Sequence, residues 1–346
     1  MNLKSDISMT KQKGIILLLS GIILLFVTSC WQGRKVHHAK KVKIKIDRFE
    51  KDLFSISLYN LRDSIPSLEE KYPDFFPLFT NKIIQIGPPG QSDFSDRLLA
   101  FVSDFTIYKV NKHVQEVFPN LDKIDNELSG VFGNYASTFP NHIIPHIVTC
   151  ISGFNQSIVL ADSLEVICLD KYLGINDEFY KLLYPPVPEY MRYVMHPDKI
   201  PVDVIRAWLI GEFAYNDSRD NLLTKIIYEG RVMYCVKQLM PEINDSLLWG
   251  YTPRQLRFCK ENEKQMWTYL VEHKLLFENN RFIITQFVGE APFTKDFSKD
   301  SPGKAAVWIG YQIANSYMKR NHSISLNDFM KENDYLKILN LSRYNP

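Results

Sequence analysis

The sequence predicts an α+β fold that is mostly helical, with a small antiparallel sheet in the middle of the chain. Helical hydrophobic periodicity is present in much of residues 60–140 and returns after residue 200. Between these regions, β-branched and apolar segments at 143–151, 157–160 and 164–169 are separated by short turn sequences. Short strands with turn signals between them are typical of an antiparallel sheet.

The composition excludes several classes of protein. The 346 residues carry a formal net charge of +2, and 45% of them are hydrophobic. With 22 Phe, 18 Tyr and 5 Trp, the chain buries far more apolar area than a disordered segment does. Five cysteines in so long a chain exclude a disulfide-dense miniprotein. The balance of 41 basic and 39 acidic residues gives no support to nucleic-acid binding.

Residues 1–29 resemble a lipoprotein signal peptide. Residues 14–27 carry no charge and follow Lys11 and Lys13, but at 1.5 Å per residue they are too short for a bilayer core of about 30 Å. The run ends in the sequence VTSC, and small residues before Cys30 resemble the lipobox of bacterial lipoproteins. We therefore predict cleavage before Cys30 and lipidation of its thiol. An uncleaved signal anchor is the alternative.

Cleavage at Cys30 leaves 317 residues with 38 basic and 38 acidic side chains, so the small positive charge belongs to the signal. Residues 30–41 form a basic tether without an acidic residue. Such a tether is attracted to anionic lipid head groups, although a solvated linker explains it equally well. Residues 42–346 contain no repeat or interdomain linker and are predicted to form a single domain.

The predicted elements follow the hydrophobic pattern and the helix-end signals. Before the sheet we expect a strand at 42–46 and helices that start near Arg48 and cover 94–117 and 122–135. After it we expect a buried helix at 205–215, helices at 221–240 and 252–277, a loop at 289–303 and a last long helix at 303–319. The pair Thr252-Pro253 supplies an N-cap and a first helical residue.

The other four cysteines, Cys150, Cys168, Cys235 and Cys259, form no CxxC pair. We predict that they are buried free thiols, which is the common state of cysteines in apolar segments. A bridge between Cys150 and Cys168 is an open alternative, because disulfide connectivity is not readable from sequence.

Glu229 is the most informative residue of the helical part. It lies in the middle of an otherwise apolar stripe on the predicted helix 221–240. A carboxylate there is costly unless it is paired or hydrogen-bonded. One interpretation is a metal ligand or catalytic acid. The other, which we favour, is a structural carboxylate held by a donor such as Arg206.

A zinc site would need more than Glu229. The preceding helix, 203–215, contains Glu212 but no histidine, so the H-E-x-x-H motif is absent there. His142 and His146 have helical metal-ligand spacing, but Pro145 and β-branched neighbours indicate a strand. The sequence also lacks a P-loop, a G-x-G-x-x-G motif and a G-x-S-x-G motif.

Small residues at 306, 310 and 314 recur at every fourth position of the last long helix. This spacing leaves a shallow groove that allows another helix to approach closely. Packing inside the domain is the interpretation that we favour, and a groove for a partner protein is the alternative.

Several segments are spread over nearly the whole mature chain: the lipobox at Cys30, IDRFE at 46–50, LDKYLG at 169–174, IYEGR at 227–231, PFT at 292–294, SPG at 301–303 and VWIGYQI at 307–313. Together they resemble the gliding-motility lipoprotein family GldB of Bacteroidetes. The family usually has Arg at the position of Lys304 and Gly at that of Ala306, so this chain departs from the pattern there.

The resemblance implies an outer-membrane lipoprotein of the gliding machinery, which is linked to type IX secretion. Because the tether has no acidic residue, we expect the protein to face the periplasm. The family is also similar to predicted zinc peptidases that carry H-E-x-x-H and then E-G on the next helix. Glu229-Gly230 matches the second motif, which suggests a zincin-like core that has lost its metal, with Glu212, Glu229 and Arg206 as a degenerate site.

We therefore favour a lipid-anchored, non-enzymatic protein that supports gliding or an envelope complex through protein contacts, without a cofactor and without nucleic acid. The alternative is a periplasmic zinc-type peptidase or hydrolase with an atypical site. That site would include Glu212, Glu229 and either His142 or His146.

Overall fold

A computed structural model describes residues 41–216, 218 and 220–346. The predicted signal peptide, the lipidation site Cys30 and the tether up to residue 40 lie outside the described residues. The described part of the chain belongs to one compact unit, Ala39–Pro346. None of the helices in this part combines the length and the hydropathy needed to cross a membrane.

A four-stranded mixed sheet lies in the middle of a mostly helical structure. The strands are β1 (Ile46–Arg48), β2 (His146–Cys150), β3 (Ile158–Ala161) and β4 (Leu164–Cys168). Their order across the sheet is β1-β2-β4-β3, so β1 and β3 are the edge strands. β2 runs parallel to both β1 and β4, whereas β3 and β4 are antiparallel.

The prediction of a purely antiparallel sheet was therefore wrong for two of the three strand pairs. β3 and β4 do form a hairpin, closed by Asp162 and Ser163. β2 does not pair with β3, because residues 151–157 carry the chain past β4 to the outer edge. The first strand begins at Ile46, four residues later than predicted, and reaches the sheet from about 100 residues earlier in the chain.

Helices precede and follow the sheet. Those before β2 are α1 (Phe49–Ser55), α2 (Leu61–Lys71), α3 (Phe75–Leu78), α4 (Phe94–Ser103), α5 (Phe105–Val117) and α6 (Asp122–Thr138), with a π-helical turn at Phe79–Ile83. Those after β4 are α7 (Glu178–Leu182), α8 (Glu189–Arg192), α9 (Ile200–Glu212), α10 (Leu222–Leu239), α11 (Asp245–Trp249), α12 (Pro253–Glu261), α13 (Glu263–Glu272), α14 (Arg281–Val288), α15 (Ala306–Arg320), α16 (Leu326–Lys331) and α17 (Tyr335–Ser342). Single 3₁₀ turns lie at Leu169–Lys171, Pro197–Lys199 and Leu275–Phe277.

Two of the long predicted helices are divided. The segment 94–117 breaks at Asp104, whose carboxylate accepts hydrogen bonds from the backbone N–H groups of Thr106 and Ile107 and so starts α5. The segment 252–277 breaks near Asn262 into α12 and α13. Thr252 caps α12 as predicted, and Gln255 completes the capping box.

The sheet separates two hydrophobic cores, because successive residues of a strand point to opposite faces. Ile147 and Ile167 face the larger core, which the later helices cover together with α5 and α6. Val148 and Val166 face a smaller core built by α1 to α4.

The thiols of Cys150, Cys168, Cys235 and Cys259 are free and buried, as predicted. Cys150 and Cys168 are register partners on β2 and β4, and their sulfur atoms lie 3.7 Å apart on the side of the smaller core. Burial raises the pKa of the Cys150 thiol well above its usual value, so this thiol is protonated and unreactive at neutral pH.

α10 and α15 cross at two glycines. A side chain at Gly230 would overlap the backbone of Gly310, and a side chain at Gly310 would overlap the carbonyl group of Ile226. The stripe formed by Ala306, Gly310 and Ala314 is fully buried. The structure therefore confirms the favoured interpretation, packing inside the domain, and does not support the alternative of a partner-binding groove on this stripe.

Glu165 is a buried carboxyl group at the centre of the sheet. It lies on β4 between Ile147 of β2 and Leu160 of β3, its side chain has no exposed area, and neither carboxyl oxygen has a hydrogen-bond partner among the described residues. Burial raises the pKa of Glu165 well above its usual value. A protonated, neutral carboxyl group in this position is less costly than an ion.

Gly230→Ala should destabilise the protein by about 3 kcal/mol, because the added methyl group forces α10 and α15 apart. Gly130→Ala is the matched control. Gly130 lies inside α6, and apart from its chain neighbours and the nearby backbone of its own helix no atom comes within 4 Å of the position that the added methyl group would take. This variant should gain up to about 1 kcal/mol from helix propensity. Urea unfolding measures both changes. Equal stability of Gly230→Ala and the wild type would contradict the assigned crossing.

Glu165→Gln should stabilise the protein increasingly as the pH rises. A carboxyl group with a raised pKa in the folded state contributes full stability below its unfolded pKa of about 4.3 and loses it as the pH rises towards the folded pKa. Glutamine stays neutral and avoids this loss. We expect unfolding midpoints that agree near pH 4 and diverge towards pH 7. A difference that is constant with pH would contradict a protonated Glu165.

Candidate functional site

A cavity of about 720 Å³ lies beside the edge strand β3. Its walls come from the start of β3, the segment 189–195, helix α9, the junction of α11 and α12, and the loop 290–304. Five aromatic side chains line it: Tyr172, Tyr190, Tyr193, Trp249 and Tyr251. A cavity of this size with apolar walls and a few charged groups is typical of a ligand site.

The predicted partners Arg206 and Glu229 meet next to this cavity. Nη2 of Arg206 donates a hydrogen bond to Oε2 of Glu229 over 2.9 Å. The Glu229 side chain is only 17% exposed, and both residues line a small recess of about 50 Å³ that shares Arg206, Trp249 and Lys304 with the cavity. The guanidinium therefore neutralises the carboxylate that interrupts the apolar stripe of α10.

A buried lysine supports the wall formed by α9. Nζ of Lys199 donates hydrogen bonds to the carbonyl oxygens of Leu247 and Leu248, over 2.7 and 3.2 Å, at the end of α11. It also lies 3.4 Å from Asp203, which accepts a hydrogen bond from the Tyr172 hydroxyl. Burial lowers the pKa of Lys199, while the carbonyl and carboxylate partners satisfy its ammonium group.

The loop 290–304 is held by a compact hydrogen-bond cluster. The Thr294 hydroxyl donates to the carbonyl oxygen of Pro302 and accepts from the backbone N–H of Ala305. The Ser301 hydroxyl accepts from the backbone N–H of Thr294. Because Thr294 and Ser301 are both buried and fully bonded, this part of the cavity wall is rigid.

The same loop brings Lys304 to the cavity. Its backbone adopts the left-handed conformation, with φ of 47°, and Nζ lies 2.5 Å from Oε1 of Glu290. The hydroxyl of Tyr251 donates to the carbonyl oxygen of Gly303 next to it. A side chain at Gly303 would overlap the backbone of Ala291, so the SPG sequence is needed for the close approach of the two ends of the loop.

Lys171 is the cavity cation with the weakest partner. Its ammonium group lies 3.4 Å from the carbonyl oxygen of Phe154, and no carboxylate of the described residues forms an ion pair with it. Burial lowers its pKa. The preceding residue, Asp170, is fully buried and holds the turn 152–156 by accepting hydrogen bonds from Ser152 and Phe154.

The third residue of the predicted degenerate site lies elsewhere. Glu212 is six residues after Arg206 on α9, which rotates it about 120° around the helix. There its carboxylate lies 2.5 Å from Nδ1 of His142. His146 pairs instead with Asp47 over 2.8 Å. Neither histidine lines the cavity, and Glu212 lines neither the cavity nor its recess. A joint role of Glu212 and Glu229 stays a prediction.

The donor set at the cavity does not suit zinc. The lining residues include carboxylates, amines and tyrosines but no histidine or cysteine, whereas zinc in proteins prefers imidazole and thiolate ligands. Across residues 41–216, 218 and 220–346, no group of three or more His, Cys, Asp or Glu side chains has a metal-binding arrangement.

Sequence reasoning missed Lys171, Lys199 and Lys304 as members of the site. The sequence nevertheless contained an indication of the site. Four of the segments that resemble the GldB family contribute residues to the cavity and its recess. LDKYLG contributes Lys171 and Tyr172, and IYEGR contributes Glu229, while PFT and SPG contribute Pro292, Pro302 and Gly303. Segments that lie 130 residues apart in the sequence are thus brought to one site.

This arrangement is found in a chain of the gliding-motility lipoprotein class. Residues 31–346 match the family described as "Gliding motility protein GldB". The chain therefore belongs to the GldB family, which confirms the resemblance seen in the sequence. No curated protein and no solved structure matches the chain significantly.

Arg206→Met should destabilise the protein by about 1–2 kcal/mol, because it leaves the half-buried Glu229 carboxylate without its charged donor. The double variant Arg206→Met/Glu229→Leu should lose less than the sum of the two single variants. Urea unfolding of all four proteins gives the coupling energy. Arg254→Met is the control, because its ion pair with Asp300 is exposed and should contribute less than about 0.5 kcal/mol. Strict additivity would contradict the pairing.

Proposed function

We propose that the protein is a lipid-anchored component of the gliding machinery that acts through protein contacts rather than through hydrolysis. Acylation of Cys30 would attach it to the outer membrane, with the folded domain in the periplasm. The basic tether supports this placement, because Lys and Arg next to a lipid anchor add attraction to anionic head groups.

The observation that carries the non-catalytic part of the proposal is the pair of Arg206 and Glu229. In the predicted zinc peptidases to which the family is similar, the corresponding E-G motif follows a helix with two histidines. Here the Arg206 guanidinium donates a hydrogen bond to the Glu229 carboxylate over 2.9 Å. A fixed positive charge therefore lies next to the carboxylate that would have to bind a metal. We infer a degenerate zincin-like core in which an ion pair replaces a metal.

Retention of the E-G motif then has a structural reason. Gly230 allows the close crossing of α10 with α15, and Glu229 anchors Arg206 at the cavity wall. Neither role requires catalysis, and both explain why a chain without the histidine motif still carries this dipeptide.

A periplasmic peptidase is the second candidate. The cavity favours this second candidate. It has a volume of about 720 Å³ and an acidic residue, Glu229, in an adjoining recess, and hydrolases act in sites of this kind. The discriminating property is whether Glu229 works as a base or as the partner of Arg206.

A gliding host that lacks its own family member provides the test. We expect the chain with Glu229→Gln to restore gliding as well as the wild type, because glutamine keeps the shape and a hydrogen-bond acceptor for Arg206 but cannot act as a general base. We expect a form in which residues 1–30 are replaced by a cleavable secretory signal without the cysteine to fail. Spreading of colonies and single-cell gliding speed are the measurements.

Two results would overturn the proposal. A folded, normally abundant Glu229→Gln protein that fails to restore gliding would favour the hydrolase, as would stoichiometric zinc in the purified wild-type protein. Full rescue by the released form would remove the lipid anchor from the function. Immunoblots of membrane and soluble fractions control for abundance and location.

A further inference from the structure

β3 has an unpaired edge, and its first residue, Ile158, lines the cavity. β3 is the last strand in the sheet order and pairs with β4 alone. The backbone N–H of Cys168 donates to the carbonyl oxygen of Ser157, and in an antiparallel ladder hydrogen-bonded pairs alternate with non-bonded ones. Val159 and Ala161 therefore bond to β4, whereas the N–H and C=O groups of Ile158 and Leu160 point out of the sheet.

No residue in the described part of the chain pairs with these outward groups. All four residues of β3 are half-buried. Natural proteins usually cover or charge such an edge, because it is a template for another strand. Here the edge residues Ser157 and Ile158 form part of the cavity wall.

The cavity provides contacts that suit the side chains of an added strand. Tyr172, Trp249 and Tyr251 are buried residues of its wall and provide an apolar surface. Most of the charges around them are already compensated, since Arg206 pairs with Glu229 and Lys304 pairs with Glu290. An occupant thus finds backbone partners at β3 and aromatic side chains in the wall of the same cavity.

Lys171 fixes the direction of the occupant. Its ammonium group reaches the carbonyl oxygen of Phe154, so it lies by the turn that precedes Ser157, at the beginning of β3. A strand antiparallel to β3 would end there and bring its terminal carboxylate to an ammonium group without a carboxylate partner. A parallel strand would begin there and place its amino terminus against the same positive charge.

We propose that this cavity binds the carboxyl-terminal segment of a partner protein as an added strand antiparallel to β3. The backbone of the segment bonds to Ile158 and Leu160, an apolar side chain packs among Tyr172, Trp249 and Tyr251, and the terminal carboxylate pairs with Lys171. Strand addition and capture of a terminal carboxylate are both established modes of peptide recognition. This inference rests on the proposed function, in which the protein works through protein contacts.

The test uses the mature lipoprotein in detergent micelles and a library of random decapeptides displayed with free carboxyl termini. We expect selection to converge on a carboxyl-terminal pattern with an apolar residue. The recovered peptide, labelled with fluorescein at its amino terminus, is then titrated by fluorescence anisotropy. Amidation of its carboxyl terminus should weaken binding at least tenfold to the wild type but have little effect with Lys171→Met.

Proline substitutions separate the outer edge from the inner ladder. Ile158→Pro removes an N–H group that points out of the sheet, and edge strands tolerate proline. It should keep the unfolding temperature near that of the wild type and weaken peptide binding at least tenfold. Val159→Pro removes an N–H group bonded to β4 and should lower the unfolding temperature. Ile158→Val keeps the backbone donor and should bind normally.

The proposal fails if no peptide is enriched, if Ile158→Pro binds the recovered peptide normally, or if amidation has no effect on the wild type. It also fails if light scattering shows a dimer that Ile158→Pro dissociates, because the occupant would then be a second copy of this chain. Cleavage of the bound peptide by the wild type would overturn the non-catalytic function while leaving strand addition intact, so the two proposals fail separately.

Discussion

The crossing of α10 and α15 at Gly230 and Gly310 is the constraint on which the rest of the structure depends. The two backbones touch there, which leaves no room for any side chain at either position. This contact fixes Glu229, which is one residue away, and the start of α15, which follows the loop 290–304 that lines the cavity. The charged site and the core are therefore positioned by the same contact.

Ionic groups around the cavity are satisfied mainly by the protein itself. Lys199 is held by two carbonyl oxygens at the end of α11, and Arg206 is held by Glu229. Removing such groups from water is costly unless each has a partner, and these bonds fix the side chains that form the walls. The cavity is consequently preorganised, which lowers the entropic cost of ordering a ligand in it. By contrast, Lys171 has no carboxylate partner among the described residues, and the outward N–H and C=O groups of β3 have no backbone partner there.

The sheet shows which features local sequence patterns predict and which they do not. The β3–β4 hairpin was predictable, because Asp162 and Ser163 connect two adjacent β-branched segments. The parallel pairing of β2 with β1 and β4 was not, because alternation identifies a strand and its buried face but not its neighbour. In the same way, the position of Glu229 in an apolar stripe predicted a partner, and Arg206 contacts it, whereas Glu212 pairs with His142 because of its rotation around α9.

Properties that depend on neighbouring residues were readable from the chain alone. These include the lipobox at Cys30, which stays a prediction, the capping of α12 by Thr252, the mostly helical character and the membership of the GldB family. Tertiary structure decided the mixed sheet, the pairing of Glu212 with His142 and the cavity at the edge of β3. These features arise from contacts between segments up to about 130 residues apart, and the hydrophobic pattern of a segment records that it is buried but not what covers it.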